Sequence, residues 1–83
     1  MAIIKSIYGK APQWGDNCYF SETAAVVGDV KMGNECSVWF SAVVRGDVAP
    51  ITMGNRCNVQ DGACVHVTNT TGPTVMEDDV PIG

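Results

Sequence analysis

Cationic side chains are scarce in this sequence of 83 residues: Lys and Arg number five against nine Asp and Glu, for a net charge of −4. The five stand apart, at Lys5, Lys10, Lys31, Arg45 and Arg56, with no basic run. Nucleic acid and anionic membranes, which are gripped by clustered cations, are therefore poor partners. Long apolar runs are missing too. MAIIKSIYGKAPQWGD at the N-terminus holds a short apolar patch, but Lys5 and Lys10 interrupt it before it reaches the length of a signal-peptide core or a membrane span. The expectation is a soluble, cytoplasmic protein. Histidine occurs once, at His66, and one imidazole cannot make a metal site unaided. Length is a shortage in itself: a core drawn from so few residues supplies about 3–5 kcal/mol, so support from metal, disulfide or oligomerisation is expected.

What is present in quantity is self-similarity. WGDNC (Trp14 to Cys18), MGNEC (Met32 to Cys36), MGNRC (Met53 to Cys57) and MEDDV (Met76 to Val80) are one five-residue pattern written four times, at intervals of 18, 21 and 23. A large apolar residue recurs every sixth position within each unit: Trp14, Phe20, Val26; Met32, Val38, Val44; Met53, Val59, Val65; Met76, Ile82. A compact residue follows four positions later, as in Cys18, Ala24, Val30, then Cys36, Ala42, Val48, then Cys57, Ala63. A period of six matches neither an amphipathic helix nor a simple alternating strand. Repeated in blocks of 18, it marks a three-sided parallel β-solenoid in which each hexad is one short strand and a corner.

In that fold the large residue points into the prism and the compact one fits the corner. Gly15, Gly33 and Gly54 recur just after the inward residue, as expected where the backbone turns or is closely approached. The surplus residues before Met53 and Met76 become loops around Val48 to Thr52 and Thr70 to Val75, the latter with the loop signal Gly72-Pro73. Residues 1–11 are a lead-in segment and residues 12–83 the solenoid. Cys18, Cys36 and Cys57 then form an interior ladder of reduced, inert thiols, which behave as small buried hydrophobes, while Cys64 falls one position past the compact site. Arg45-Gly46-Asp47 and the sequon Asn69-Thr70-Thr71 would carry adhesion or glycosylation only in an extracellular protein, for which nothing else speaks.

Register also gathers polar residues. Val44 and Val65 are equivalent inward positions of neighbouring coils, so Arg45 and His66 after them stack on one outer face, and Trp39 and Gln60 stack on the preceding one. Arg45, Asp47, Asn58, Gln60, Asp61 and His66 are thereby expected near one corner of two coils, on rigid strands that hold a site better than a loop does. The plain alternative is a solvated face with an Arg45 to Asp61 or Asp47 ion pair of little worth.

Arg45-Gly46-Asp47, then Asn58-Val59-Gln60-Asp61-Gly62, then His66, at this spacing and on this repeat, resemble the γ-class carbonic anhydrase-like family of hexapeptide-repeat proteins. The resemblance runs from about Pro12 onward, and because members are longer, it places this chain as an N-terminal portion. It implies a left-handed all-β helix of about four coils, against the usual right-handed crossover. It further implies a homotrimer with sites between subunits and a metal, zinc or else iron or cobalt, held by three histidines. His66 matches the first ligand. The others belong to a later H-x4-H segment after an apolar-Gly pair, which Ile82-Gly83 resembles, so this chain alone is expected to retain no metal and to be inactive. Gln60 matches the residue that orients the attacking hydroxide or the carbon dioxide/bicarbonate substrate, Asn58 its polar neighbour, and Arg45, Asp47 and Asp61 an interface salt-bridge set.

The resemblance leaves gaps. No glutamate stands directly after Asp61, around Val48 or around Asn69, where active members of the family it resembles carry carboxylates for proton transfer. Two further readings therefore stand beside the lyase: a noncatalytic assembly module, and a hexapeptide-repeat acyltransferase using acyl-CoA, which would lack the Arg45-Asp47 and Gln60-Asp61 set.

Overall fold

A computed structural model of the chain describes residues 1–66 and 73–83. Its ten strands are β1 (Ile3–Lys5), β2 (Gln13–Trp14), β3 (Tyr19–Phe20), β4 (Ala25–Met32), β5 (Ser37–Val38), β6 (Val43–Met53), β7 (Asn58–Val59), β8 (Cys64–His66), β9 (Thr74–Met76) and β10 (Pro81–Ile82). Every strand-to-strand pairing is parallel, and no helix occurs among the described residues. The strands wind into a left-handed solenoid of about four turns. One face carries β1, the first half of β4, the first half of β6 and β8; the next carries β2, the second halves of β4 and β6, and β9; the third carries β3, β5, β7 and β10.

The period-six apolar residues stack in register as three interior columns. Ile4, Val26, Val44 and Val65 form one, Trp14, Met32, Met53 and Met76 the second, and Phe20, Val38, Val59 and Ile82 the third. Val26, Val38, Val44 and Val59 are fully buried, with Met32 and Met53 nearly so. β-Branched side chains suit this geometry because they pack well on a pleated surface and their stiff χ1 loses little on burial. Each buried Val, Ile or Met contributes roughly 1.5–3 kcal/mol relative to exposure.

Two corners keep one length in every coil, six residues from one inward residue to the next, as in Met32 to Val38 to Val44 and Met53 to Val59 to Val65. The corner between the first and second faces varies. It takes residues 6–12 in the opening coil, where Ile7 and Lys10 close a small antiparallel turn, only Gly28 and Asp29 in the next, and a bulged stretch of β6 in the third. Here one expectation is corrected. Val48 does not take the compact interior position: it is 55% exposed, and Ile51, fully buried, pairs with Val30 instead. Gly28 pairs with Gly46, so the surplus residues leave the ladder directly after Gly46, and Ile51 to Met53 are paired strand rather than loop. The expected loop around Thr70 to Val75 falls partly on residues 67–72, outside the described residues, as does the sequon at Asn69; Thr74–Met76 are strand β9.

Cys36 and Cys57 are buried and Cys18 half-buried, all three as free thiols, and Cys64 is exposed. Each of the three ladder thiols also donates to a carbonyl of the following coil: Cys18 to Gly33 at 3.3 Å, Cys36 to Gly54 at 3.1 Å and Cys57 to Glu77 at 3.1 Å. Cys18 is less buried because it belongs to the first full coil and only partial structure lies beyond it.

A second ladder runs along the third place of the pentad. Asn34 Oδ1 accepts from the Asp16 N–H at 2.8 Å, Asn55 Oδ1 from the Asn34 N–H at 2.8 Å, and Asp78 Oδ1 from the Asn55 N–H at 2.7 Å. This explains the repeated glycines. A Cβ on Gly15, Gly33 or Gly54 would collide with the Oδ1 of Asn34, Asn55 or Asp78 respectively, so the close approach expected there is that of a neighbouring coil's side chain.

Candidate functional site

β7 and β10 present the polar cluster of the third face. Strand alternation turns Val59 inward and its neighbours Asn58 and Gln60 outward. Gln60 Nε2 donates to Asn58 Oδ1 at 3.3 Å, which fixes the amide pair and leaves Gln60 Oε1 toward Gly83, where a Cβ would lie 2.9 Å from it. Trp39, one coil earlier, donates from Nε1 to Ser37 Oγ at 2.9 Å and stacks at a tilt on Tyr19, 4.9 Å between ring centroids. Trp39, Asn58, Gln60, Asp61 and Gly83 together line an open pocket of about 470 Å³.

His66 and Arg45 lie around the corner on the first face. They are direct partners across β8 and β6, and the exposed–buried–exposed pattern of β8 sends Cys64 and His66 outward with Val65 between them in the core. Asp47 sits elsewhere again. It accepts from the Val48 N–H at 3.0 Å and lines a groove at the variable corner with Lys10 and Asp29. The six residues therefore divide within one chain: Asn58, Gln60 and Asp61 share the open pocket, Arg45 and His66 share a face, and Asp47 faces a different corner.

Among the described residues Arg45, Asp47 and Asp61 make no ion pair, so the pairing weighed for them does not form inside one chain. The ion pair that does form is between coils: Arg56 Nε meets Asp79 Oδ1 at 2.7 Å, with Asp78 at 3.9 Å. The hydrogen bond from Arg56 and its charge hold the Asp79 carboxyl below the ordinary carboxylate value, and the same contact raises Arg56. The repeat contained this signal, since Arg56 and Asp79 fill the same pentad place in successive units. Among the described residues no three His, Cys, Asp or Glu side chains converge as a metal-binding group. His66 offers one imidazole from an exposed position, which does not fit a complete zinc site.

No protein-family model matches the chain. It is 41% identical over 90% of its length to a protein of Geobacillus kaustophilus (strain HTA426) named carbonic anhydrase, of which it covers 41%. To Arabidopsis thaliana gamma carbonic anhydrase 1, mitochondrial, it is 36% identical over 96% of its length, covering 31% of that protein. A crystal structure of a putative acetyltransferase from Bacillus cereus superposes on 99% of the chain and 47% of its own with a TM-score of 0.91 at 38% identity. The chain thus spans less than half the length of these relatives.

Proposed function

From a chain that is homologous over most of its length to proteins named carbonic anhydrase, the γ class among them, we propose a γ-class carbonic anhydrase-like function: reversible hydration of carbon dioxide at a site shared between subunits of a homotrimer. The observation that carries it is the register of Arg45 with His66 on an exposed face, one corner from the hydrogen-bonded Asn58–Gln60 pair. In this reading Asn58 holds the Gln60 amide so that its remaining donor and acceptor orient a small polar substrate or product. Arg45, Asp47 and Asp61, which make no ion pair among the described residues, supply ion pairs between subunits. His66 is one ligand for zinc, or for iron or cobalt. Alone, that one histidine does not complete a zinc site.

Metal analysis tests the reading. The 83-residue chain should bind zinc weakly or not at all and hydrate carbon dioxide no faster than background. A form extended after Gly83 by an H-x4-H segment should bind about one metal per subunit, and His66→Ala in it should abolish binding, since two ligands are too few for a catalytic zinc. Stoichiometric zinc in that variant overturns the proposal. The putative acetyltransferase neighbour favours a second reading, acyl transfer from acyl-CoA. Release of free CoA from acetyl-CoA in the presence of amine or hydroxyl acceptors, with no hydratase activity in the extended form, would select it. Neither activity in a metal-loaded extended form would leave the noncatalytic module.

A further inference from the structure

The corner that joins the first and second faces is short in the second coil and long in the coils on either side of it. Gly28 and Asp29 make that turn alone, whereas residues 6–12 stand out in the coil before and the bulge of β6 in the coil after. A short corner between two long ones leaves a notch. Its floor stays low: Gly28 has a φ of 81°, and a Cβ on it would lie 2.5 Å from the Gly46 carbonyl oxygen. One wall is a stiff turn, in which the Ile7 N–H donates to the Lys10 carbonyl at 2.8 Å and the Lys10 N–H to that of Ile7 at 3.0 Å. Tyr8 and Gly9 between them have φ of 52° and 76°, the pattern of a tight hairpin turn. The notch holds two cavities that share Lys10 and Asp29. One, of about 170 Å³, lies between Ile7 and Tyr8 on one side and Val48, Ala49 and Pro50 on the other; the second, of about 260 Å³, opens toward Gln13 and Lys31.

The two cavities differ in chemistry. Trp14 and Met32 point inward, so their neighbours Gln13 and Lys31, paired in register, point outward side by side, about 4.8 Å apart. With Lys10 from the turn they bring two ammonium groups and an amide to one cavity, in a chain whose net charge is −4. The other cavity is flanked by Tyr8 and Val48, 92% and 55% exposed, which add nothing to the core. Asp29, half-buried, stands where the two meet. Among the described residues neither lysine nor Asp29 is in an ion pair, and the remaining carboxylate, Asp47, is turned onto the Val48 N–H at 3.0 Å. We propose that the notch binds a free α-amino acid with an apolar side chain: its carboxylate between Lys10 and Lys31 with Gln13 donating to it, its ammonium group on Asp29, its side chain along Tyr8, Val48 and Pro50. An acid without the amine would bring its charge near Asp29 with nothing to offset the repulsion, and an amine without the acid would meet the lysines. Opposite charges on one α-carbon answer the whole lining, a few placed polar groups beside an apolar wall. The site is built by residues of the first three coils and does not rest on the proposed function.

Titration of the chain with L-phenylalanine, followed by amide-resolved NMR spectra that also report whether each variant is folded, tests it. Saturable shifts are expected at Tyr8 to Lys10, Gly28 to Lys31 and Gly46 to Ala49, and none at Asn58 or Gln60. Phenylpropionate, which lacks the amine, and phenethylamine, which lacks the carboxylate, should each bind several-fold more weakly. Lys31→Gln should weaken phenylalanine and phenylpropionate alike. Asp29→Asn should weaken phenylalanine and tighten phenylpropionate, opposite changes that damage to the fold would not produce. Absence of saturable shifts in the notch, or weakening of both ligands by Asp29→Asn, overturns the proposal. So does phenylpropionate binding the wild-type chain as tightly as phenylalanine, since the notch would then take carboxylates without regard to the amine.

Discussion

Asn34 shows how a single atom ties two coils: its Oδ1 satisfies a backbone N–H 18 positions earlier. Because the rung is exposed, water replaces part of what is lost, and Asn34→Ala should cost about 0.5–1.5 kcal/mol in urea denaturation. The next pentad place is strained. Asn17, Glu35, Arg56 and Asp79 all have positive φ, between 57° and 62°, a region that costs a residue with a Cβ roughly 1–2 kcal/mol. Glycine escapes that cost but loses about 0.5–1 kcal/mol of chain entropy. Glu35→Gly should therefore be neutral or stabilising, the reverse of glycine's effect in an ordinary strand, and thermal melts would show it. Among the thiols, Cys64 should react at once with an aromatic disulfide reagent and Cys18 more slowly, while Cys36 and Cys57 wait for unfolding. Burial pushes the Cys36 thiol up. The stability this lends is present below the ordinary thiol value and lost as pH rises through the raised one, so protection of Cys36 should fall in alkali. That glycine and a compact residue recur was legible from spacing. What the glycines make room for was not, because a repeat shows recurrence and not the direction in which a side chain reaches.

Between strands, the same limit placed the bulge of β6 wrongly. An interval of 21 declares surplus residues but allows either Val48 or Ile51 to be the inward one, since both are apolar and β-branched. Close backbone packing decides: a Cβ on Gly28 would stand 2.7 Å from the Gly46 carbonyl carbon, so these glycines must face each other and the surplus must follow. Corner pairs between coils obey ordinary surface electrostatics. The Arg56–Asp79 pair is exposed, and Arg56→Ala should destabilise only slightly. Since the folded Asp79 value lies below the unfolded one, whatever the pair contributes is present above the ordinary carboxylate range and lost as pH falls through the lowered value. The difference between Arg56→Ala and wild type should accordingly shrink in acid and in high salt, as paired melts would record.

Taken entire, the prism is a thin-walled object whose interior is three columns wide, so each column matters. Ile51→Ala should cost about 2–5 kcal/mol, comparable with all that a core of this size supplies, and the variant is expected to be largely unfolded by circular dichroism at ambient temperature. The periodicity made the columns legible, along with the facing of Arg45 on His66. It also put Gln60 on the face before that of His66, but it did not separate Asp47 from Asp61, because a repeat assigns each residue a coil and a face but not a distance across a corner, and it is silent on what a second subunit brings.

The unequal corners make the chain tolerant of altered length at one place and intolerant at the others. Directly after the exposed Val48, on the outside of the bulge, where no fully buried residue follows until Ile51, a grafted flexible peptide only enlarges a loop, at about 0.6 kcal/mol per doubling of its length. One residue inserted between Ser41 and Ala42 would instead turn every later column inside out. The variable corner is the molecule's port for foreign sequence, a site at which an epitope or a fluorescent tag could be displayed while the remaining walls keep their count.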